Sequence, residues 1–305
     1  MKRVVRFQIV LLSLILGSVG TLKAQYVDGV FNANSTSMGM GGVTTVISSS
    51  HMLYTNPSLT PFSNHAFQLS TSFFGMDVGS FNTVSAYVKM GSGAIQVGWR
   101  RFSELTNKEN YFDIAYARRI GRIFSLSAGL RYIHGYYPIN FTEDFEELEF
   151  TDDTANALAI DLAASTRIPI SSSGSNLLLG ATFKNLGGFI SGSRKLPINF
   201  NVGASLNMMI NESHSFSVAA DVKYTFNAEQ FKGTQFSIGA EYGYMGMLFL
   251  RAGCHVGENK PYLPDYASIG AGVKLLVFNA EFAYIFADKD SYFGNAYTLN
   301  FGLNF

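Results

Sequence analysis

The chain has 305 residues, 47% hydrophobic, 14% aromatic and only 14% charged, with 22 Lys and Arg against 22 Asp and Glu. Soluble domains carry about 25% charged residues, so the composition argues against an ordinary soluble domain, and 27 Phe with 16 Tyr argue against disorder. Balanced charge gives no electrostatic reason to expect a nucleic-acid partner, and the single cysteine, Cys254, excludes an intrachain disulfide.

Residues 1–24 read as a secretory signal peptide. Lys2, Arg3 and Arg6 precede an apolar run from Ile9 to Leu16, small residues follow, and Ala24 stands before Gln25 as the expected cleavage point. The run falls short of the roughly 20 residues that cross a bilayer as a helix, and no later segment is apolar enough to do so. Export is expected.

Residues 25–65 do not alternate. Ser37-Met38-Gly39-Met40-Gly41-Gly42 is followed by Asn56-Pro57-Ser58-Leu59, a glycine-rich stretch suited to close packing and then a turn dipeptide. A stretch of this length before a barrel is expected to plug its lumen, with Gly39, Gly41, Gly42, Asn56, Pro57 and Leu59 as the candidate contact residues.

From residue 66 to 305 the pattern has period two. Phe200, Val202, Ala204 and Leu206 alternate with Asn201, Gly203 and Ser205, and the chain ends on Tyr297, Leu299, Phe301, Leu303 and Phe305 interleaved with polar residues. Alternation of this kind gives a strand one greasy and one polar face. Fourteen such segments start near residues 66, 82, 93, 110, 123, 154, 175, 197, 214, 234, 246, 266, 278 and 296. Short turns at Gly91-Ser92, Gly121-Arg122, Met245-Gly246 and Val277 alternate with expected longer loops at 75–81, 103–109, 135–153, 187–196, 227–233, 257–265 and 288–295. An all-β, antiparallel transmembrane barrel of about fourteen strands, one domain with its plug, fits all of this.

Eleven charges occupy the less apolar parity: Arg100, Asp113, Arg131, Asp161, Lys184, Asp221, Lys223, Glu241, Arg251, Lys274 and Glu281. A basic residue facing mid-bilayer lipid costs about 2–4 kcal/mol, so these are expected in the lumen. Six bases against five acids suit internal ion pairs holding a plug better than a single-sign pore lining. Glu143, Asp144, Glu146, Glu147, Glu149, Asp152 and Asp153 are expected in an acidic external loop, read first as a solvated face. Aromatics near strand ends, Phe73-Phe74, Tyr136-Tyr137, Tyr242 with Tyr244 and Tyr292-Phe293, are expected in interfacial girdles. Cys254 shares the lipid-facing parity. The five histidines have no metal-ligand spacing, and no nucleophile-base arrangement is evident, so no metal, cofactor or enzymatic activity is expected.

The Gly-rich motif, the Asn-Pro-Ser-Leu motif some fifteen residues later and the amphipathic barrel behind them resemble the FadL-like outer-membrane superfamily. Within it they are most similar to the PorV/PorQ-like proteins of Bacteroidota. Ser48-Ser49-Ser50-His51 stands where that family usually has an acidic pair, and Ser58 where it has alanine. The resemblance implies a plugged barrel in the Gram-negative outer membrane. It also implies a role in type IX secretion or surface attachment through secreted or secretion-system proteins. The alternative is a FadL-like channel for long-chain fatty acids or other hydrophobic small molecules. Besides outer-membrane lipid, the expected partners are therefore proteins on the first reading and a hydrophobic small molecule on the second.

Overall fold

The structure, a computed structural model, describes residues 34–305 except 77–78, 105–106, 142–147, 190–195, 227–231, 259–263, 290, 292–293 and 295. Residues 1–24 and the acids Glu143, Asp144, Glu146 and Glu147 lie outside the described residues, as do Tyr292 and Phe293.

Fourteen antiparallel strands form one closed barrel in sequence order, β1 (Phe67–Met76), β2 (Gly79–Met90), β3 (Gly93–Glu104), β4 (Asn107–Ile120), β5 (Phe124–Phe141), β6 (Leu148–Pro169), β7 (Asn176–Phe189), β8 (Asn199–Met209), β9 (His214–Thr225), β10 (Gly233–Tyr244), β11 (Leu248–Gly257), β12 (Tyr266–Leu275), β13 (Phe278–Ala287) and β14 (Tyr297–Asn304). β14 returns to β1 in register from Gln68 opposite Asn304 to Gly75 opposite Tyr297. Closure leaves no strand edge without a backbone partner, which is the condition for a sheet to stand in hydrocarbon.

The alternation of each strand sets its two faces. Val84, Val97, Phe112, Ile114, Leu130, Leu158, Leu250, Ile269 and Phe301 are exposed on the outside, an apolar belt of the kind that lipid covers. Cys254 is exposed on that same side. The other parity faces inward and carries all eleven of the charges expected in the lumen, buried or half-buried.

One end of the barrel, the turn end, has tight connections. Tyr244 and Met247 close a turn by a 3.0 Å hydrogen bond across Met245 and Gly246, whose φ angles of 54° and 63° give the left-handed pair that twisted hairpins favour. The opposite end, the loop end, departs from expectation in two ways. β1 and β2 stay paired as far as Met76 opposite Gly79, and β3 and β4 as far as Glu104 opposite Asn107, so two of the expected longer loops are largely strand. And β5 and β6 continue as a paired arm to Phe141 opposite Leu148, with an irregularity between Tyr137 and Ile139. Glu149, Asp152 and Asp153 therefore belong to a strand and not to a loop. Acidic composition marked that stretch as solvent-exposed, and solvent exposure does not prevent two strands from pairing.

Candidate functional site

Residues 34–63 lie against the inner wall. Helix α1 (Ser35–Gly39) packs on β11, β12, β13 and β14, and helix α2 (Met52–Thr55) leads into a 3-10 turn (Pro57–Phe62) that packs on β2 to β6. The segment's apolar residues, Met40, Val43, Val46, Ile47, Met52 and Leu59, form a core of their own with Tyr87, Leu178 and Ala219 of the wall.

The two motifs do local work. Asn56 takes the N-terminal position of the 3-10 turn, its Oδ1 accepting from Ser58 N at 3.1 Å, with Pro57 as first residue, where a missing N–H costs nothing. Asn56 Nδ2 also donates to Thr45 O at 2.7 Å and to Ser165 Oγ of β6 at 3.0 Å, while Pro57 O accepts from Gln96 Nε2 of β3 at 2.9 Å. Gly41 has φ 70°, and a Cβ there would strike the backbone of Cys254 and Ile238. Gly42 has φ 80° and sits under the Tyr266 hydroxyl. The wall is bare at the matching points. A Cβ on Gly253 would strike Met40 and Gly41, and one on Gly98 would strike Tyr54 and Leu53.

Internal ion pairs were expected among these charges, and seven of the eleven pair with one another across the wall. Arg100 meets Asp113 at 3.0 Å, and Arg131 meets Asp113 at 2.6 Å and Asp161 at 2.7 Å. Arg131 also donates to Asn185 Oδ1 at 2.5 Å. Asn185, with φ 62°, sits where β7 slips register against β6. On the far side Arg251 bridges Glu241 at 2.6 Å and Glu281 at 3.3 Å. Adjacent strands supply most of these partners, and Arg251 reaches Glu281 across β12, so the ion pairs, an ionic belt on the inner wall, tie neighbouring strands together and satisfy charges that water reaches poorly.

The segment is held by hydrogen bonds to that belt. Asp221 Oδ2 accepts four, from the amides and hydroxyls of Thr44 and Thr45 at 2.6–3.1 Å. Glu281 Oε2 accepts from Thr36 Oγ1 at 2.9 Å, and Lys184 Nζ donates to Tyr54 O. Arg100 lies 4.4 Å from the Tyr54 ring centroid, a cation–π contact. Ser50, His51 and Ser58 each bond a wall residue, Asn279 at 2.8 Å, Ser85 at 2.7 Å and Ser165 at 2.7 Å. Lys223 is half-buried on the inward face two residues beyond Asp221, and Lys274 lies 4.9 Å from the Phe249 ring centroid.

Above the belt, towards the loop end, the lumen is apolar. Phe74 of β1, Phe81 of β2, Phe102 of β3, Tyr111 of β4 and Ile133 of β5 point inward with Ala155, Ala157 and Ala159 of β6, Ala283 and Ile285 of β13 and Leu196, on a floor that includes Met38 of α1. Phe81 stands edge-on to Tyr111 at 6.1 Å and 6.3 Å from Phe102. Phe74 is fully buried here and not part of an outer girdle. Its parity matches that of Ser70 and Ser72. Tyr242 and Tyr244 do lie outside, against His214. Below the segment, at the turn end, a polar chamber of about 380 Å³ is lined by Ser48, Ser49, Arg167, Asn207 and Lys274 among others.

No protein-family profile and no curated protein matches the sequence. Solved structures do match in fold. The Pseudomonas putida toluene transporter TodX aligns over 90% of this chain and 96% of its own, with a TM-score of 0.62 and 10% identity. The Ralstonia pickettii toluene transporter TbuX aligns over 90% and 100%, at 0.62 and 11%. A Pseudomonas aeruginosa FadL homologue aligns over 90% and 99%, at 0.51 and 11%. The chain thus has the fold of FadL-like outer-membrane channels, and at these identities the likeness is one of fold.

Proposed function

We propose that this chain is an outer-membrane channel that admits hydrophobic small molecules from its loop end, with residues 34–63 stopping polar solutes below. The observation that carries the reading is the inward apolar tier of Phe74, Phe81, Phe102, Tyr111 and Ile133. A barrel lumen lined only for water or for ions has no use for aromatic side chains on its inner face, whereas apolar ligands bind where greasy walls are broken by a few placed polar groups. The tier is packed shut, so passage requires its side chains to part. The similar structures are named for toluene and monoaromatic hydrocarbon transport, and such molecules suit a pocket of this lining. Non-enzymatic action is part of the same reading.

The secretion-linked expectation rested on the resemblance carried by the glycine-rich and Asn-Pro-Ser-Leu motifs. Both have a seat on the chain's own barrel, Gly41 and Gly42 by close approach to the wall, Asn56 and Pro57 by hydrogen bonds to Ser165 and Gln96. Nothing in those contacts calls for a second protein.

The test is direct binding of toluene to the detergent-purified full chain, followed by native mass spectrometry or competition with an apolar fluorophore. Toluene is expected to bind, and Phe81→Ala with Phe102→Ala to weaken it about tenfold or more. A folded barrel that takes up no apolar probe, and leaves its own membrane with a stoichiometric protein partner, would return the secretion reading.

A further inference from the structure

The apolar tier has an acidic rim. Arg100, Phe102 and Glu104 succeed one another up the inward face of β3, opposite Tyr111, Glu109 and Asn107 of β4. Glu109 accepts a hydrogen bond from the Tyr111 hydroxyl. Glu104 is 7% exposed and has no hydrogen-bond or ion-pair partner among the described residues, where the neighbouring Asn107 Oδ1 is also buried without one. The cation that lies under the tier is already engaged. Arg100 is held by Asp113 and lies 4.9 Å from the Tyr111 centroid and 5.9 Å from that of Phe81.

A carboxyl group taken out of water without a partner is costly, and the cost is recovered when a donor reaches it. Here the carboxyl stands one inward step above Phe102, whose ring packs with Phe81 and, through it, Tyr111. We propose that Glu104 is a specificity residue, and that the loop-end mouth takes aromatic molecules carrying a hydrogen-bond-donating or cationic head in preference to bare hydrocarbons, turning carboxylates away. The inference rests on the channel reading and narrows its substrate class. The ring packs against Phe81, Phe102 and Tyr111 while the head donates to Glu104, and an ammonium gains further from the ring faces. A carboxylate ligand would bring like charge against Glu104 and find the guanidinium of Arg100 taken, so discrimination arises from repulsion as well as attraction.

The experiment compares benzylamine, toluene and benzoate on the full chain in micelles at neutral pH, by calorimetry or by displacement of an apolar fluorophore. Benzylamine is expected to bind about tenfold tighter than toluene and benzoate about tenfold weaker. Glu104→Gln, isosteric and on a strand end, is expected to bring benzylamine to the level of toluene and to leave toluene unchanged. Benzoate binding as well as benzylamine overturns the proposal on the wild-type chain alone, whether or not the variant folds. An unchanged order in Glu104→Gln overturns it too. In both cases toluene binding keeps the channel reading intact, whereas failure of all three ligands on a heat-modifiable, folded barrel removes both.

Discussion

Asp221 concentrates the attachment of the inner segment in one oxygen. Four donors from Thr44 and Thr45 converge on Oδ2, and hydrogen bonds to a charged group contribute about 1.5–3 kcal/mol apiece at most. Asp221→Asn keeps the shape and removes the charge. Amide exchange at Thr44 and Thr45 is expected to quicken by roughly ten- to a hundredfold, and unaltered exchange would show that the carboxylate charge is not what fastens the segment. His51 makes the seat sensitive to acid. It lies in the segment and not in the membrane-crossing strands, and burial holds its pKa down at about 4, against a small upward pull from Glu281. Once unseated, the imidazole has its ordinary value of about 6.5 and takes a proton that the seated form refuses. Seating is therefore unaffected above about pH 6.5 and weakens as pH falls towards 4, by an amount on the order of 3 kcal/mol. Protease cutting within Met52–Leu59 is expected to rise across that window in the wild type and to stay flat in His51→Gln.

At the scale of elements, the strands were legible because lipid enforces period two. A residue such as Ile95 or Val97 must be apolar, its neighbour Gln96 need not be, and the start of every strand except β2, β4 and β6 falls within two residues of its sequence expectation. The β5–β6 arm was not legible, since beyond the membrane nothing compels alternation and Glu149, Asp152 and Asp153 carry a polar signature that strands and loops share. The seat of the segment was half legible. Gly39, Gly41 and Gly42 announced close packing, but their partners Gly270 and Gly253 look like any strand glycine until the wall is closed. Reciprocal substitutions test the fit. Gly253→Val and Gly41→Val, the second also strained by about 1–2 kcal/mol at φ 70°, are both expected to release the segment to protease while the barrel keeps its heat-modifiable mobility. Loss of the folded barrel band in either variant would mean that segment and wall fold as one inseparable unit.

For the whole molecule the decisive feature is a lumen divided by depth. The ionic belt, the segment and the polar chamber occupy the turn-end part, and the aromatic tier the loop end. Parity alone could not reveal the tier, because Phe74 and Phe81 share their face with Ser72 and Thr83, and an inward phenylalanine reads in sequence like an outward one displaced by a residue. Size explains why the segment is needed. Eight strands are filled by their own side chains, whereas sixteen to eighteen leave an open aqueous channel, so a fourteen-strand wall encloses space that something must fill if polar solutes are to be refused. Removing residues 25–63 takes out the filler and leaves the strand-to-strand ion pairs Arg131–Asp161 and Arg251–Glu281 in place to hold the wall. The shortened barrel is expected to conduct ions in planar bilayers and to pass small sugars in liposome swelling, while the full chain does neither and still binds toluene. Equal conductance in the two would mean that the segment stops nothing. Loss of toluene binding on deletion, with the barrel intact, would mean that Met38 and its helix are more than a floor and help form the apolar site.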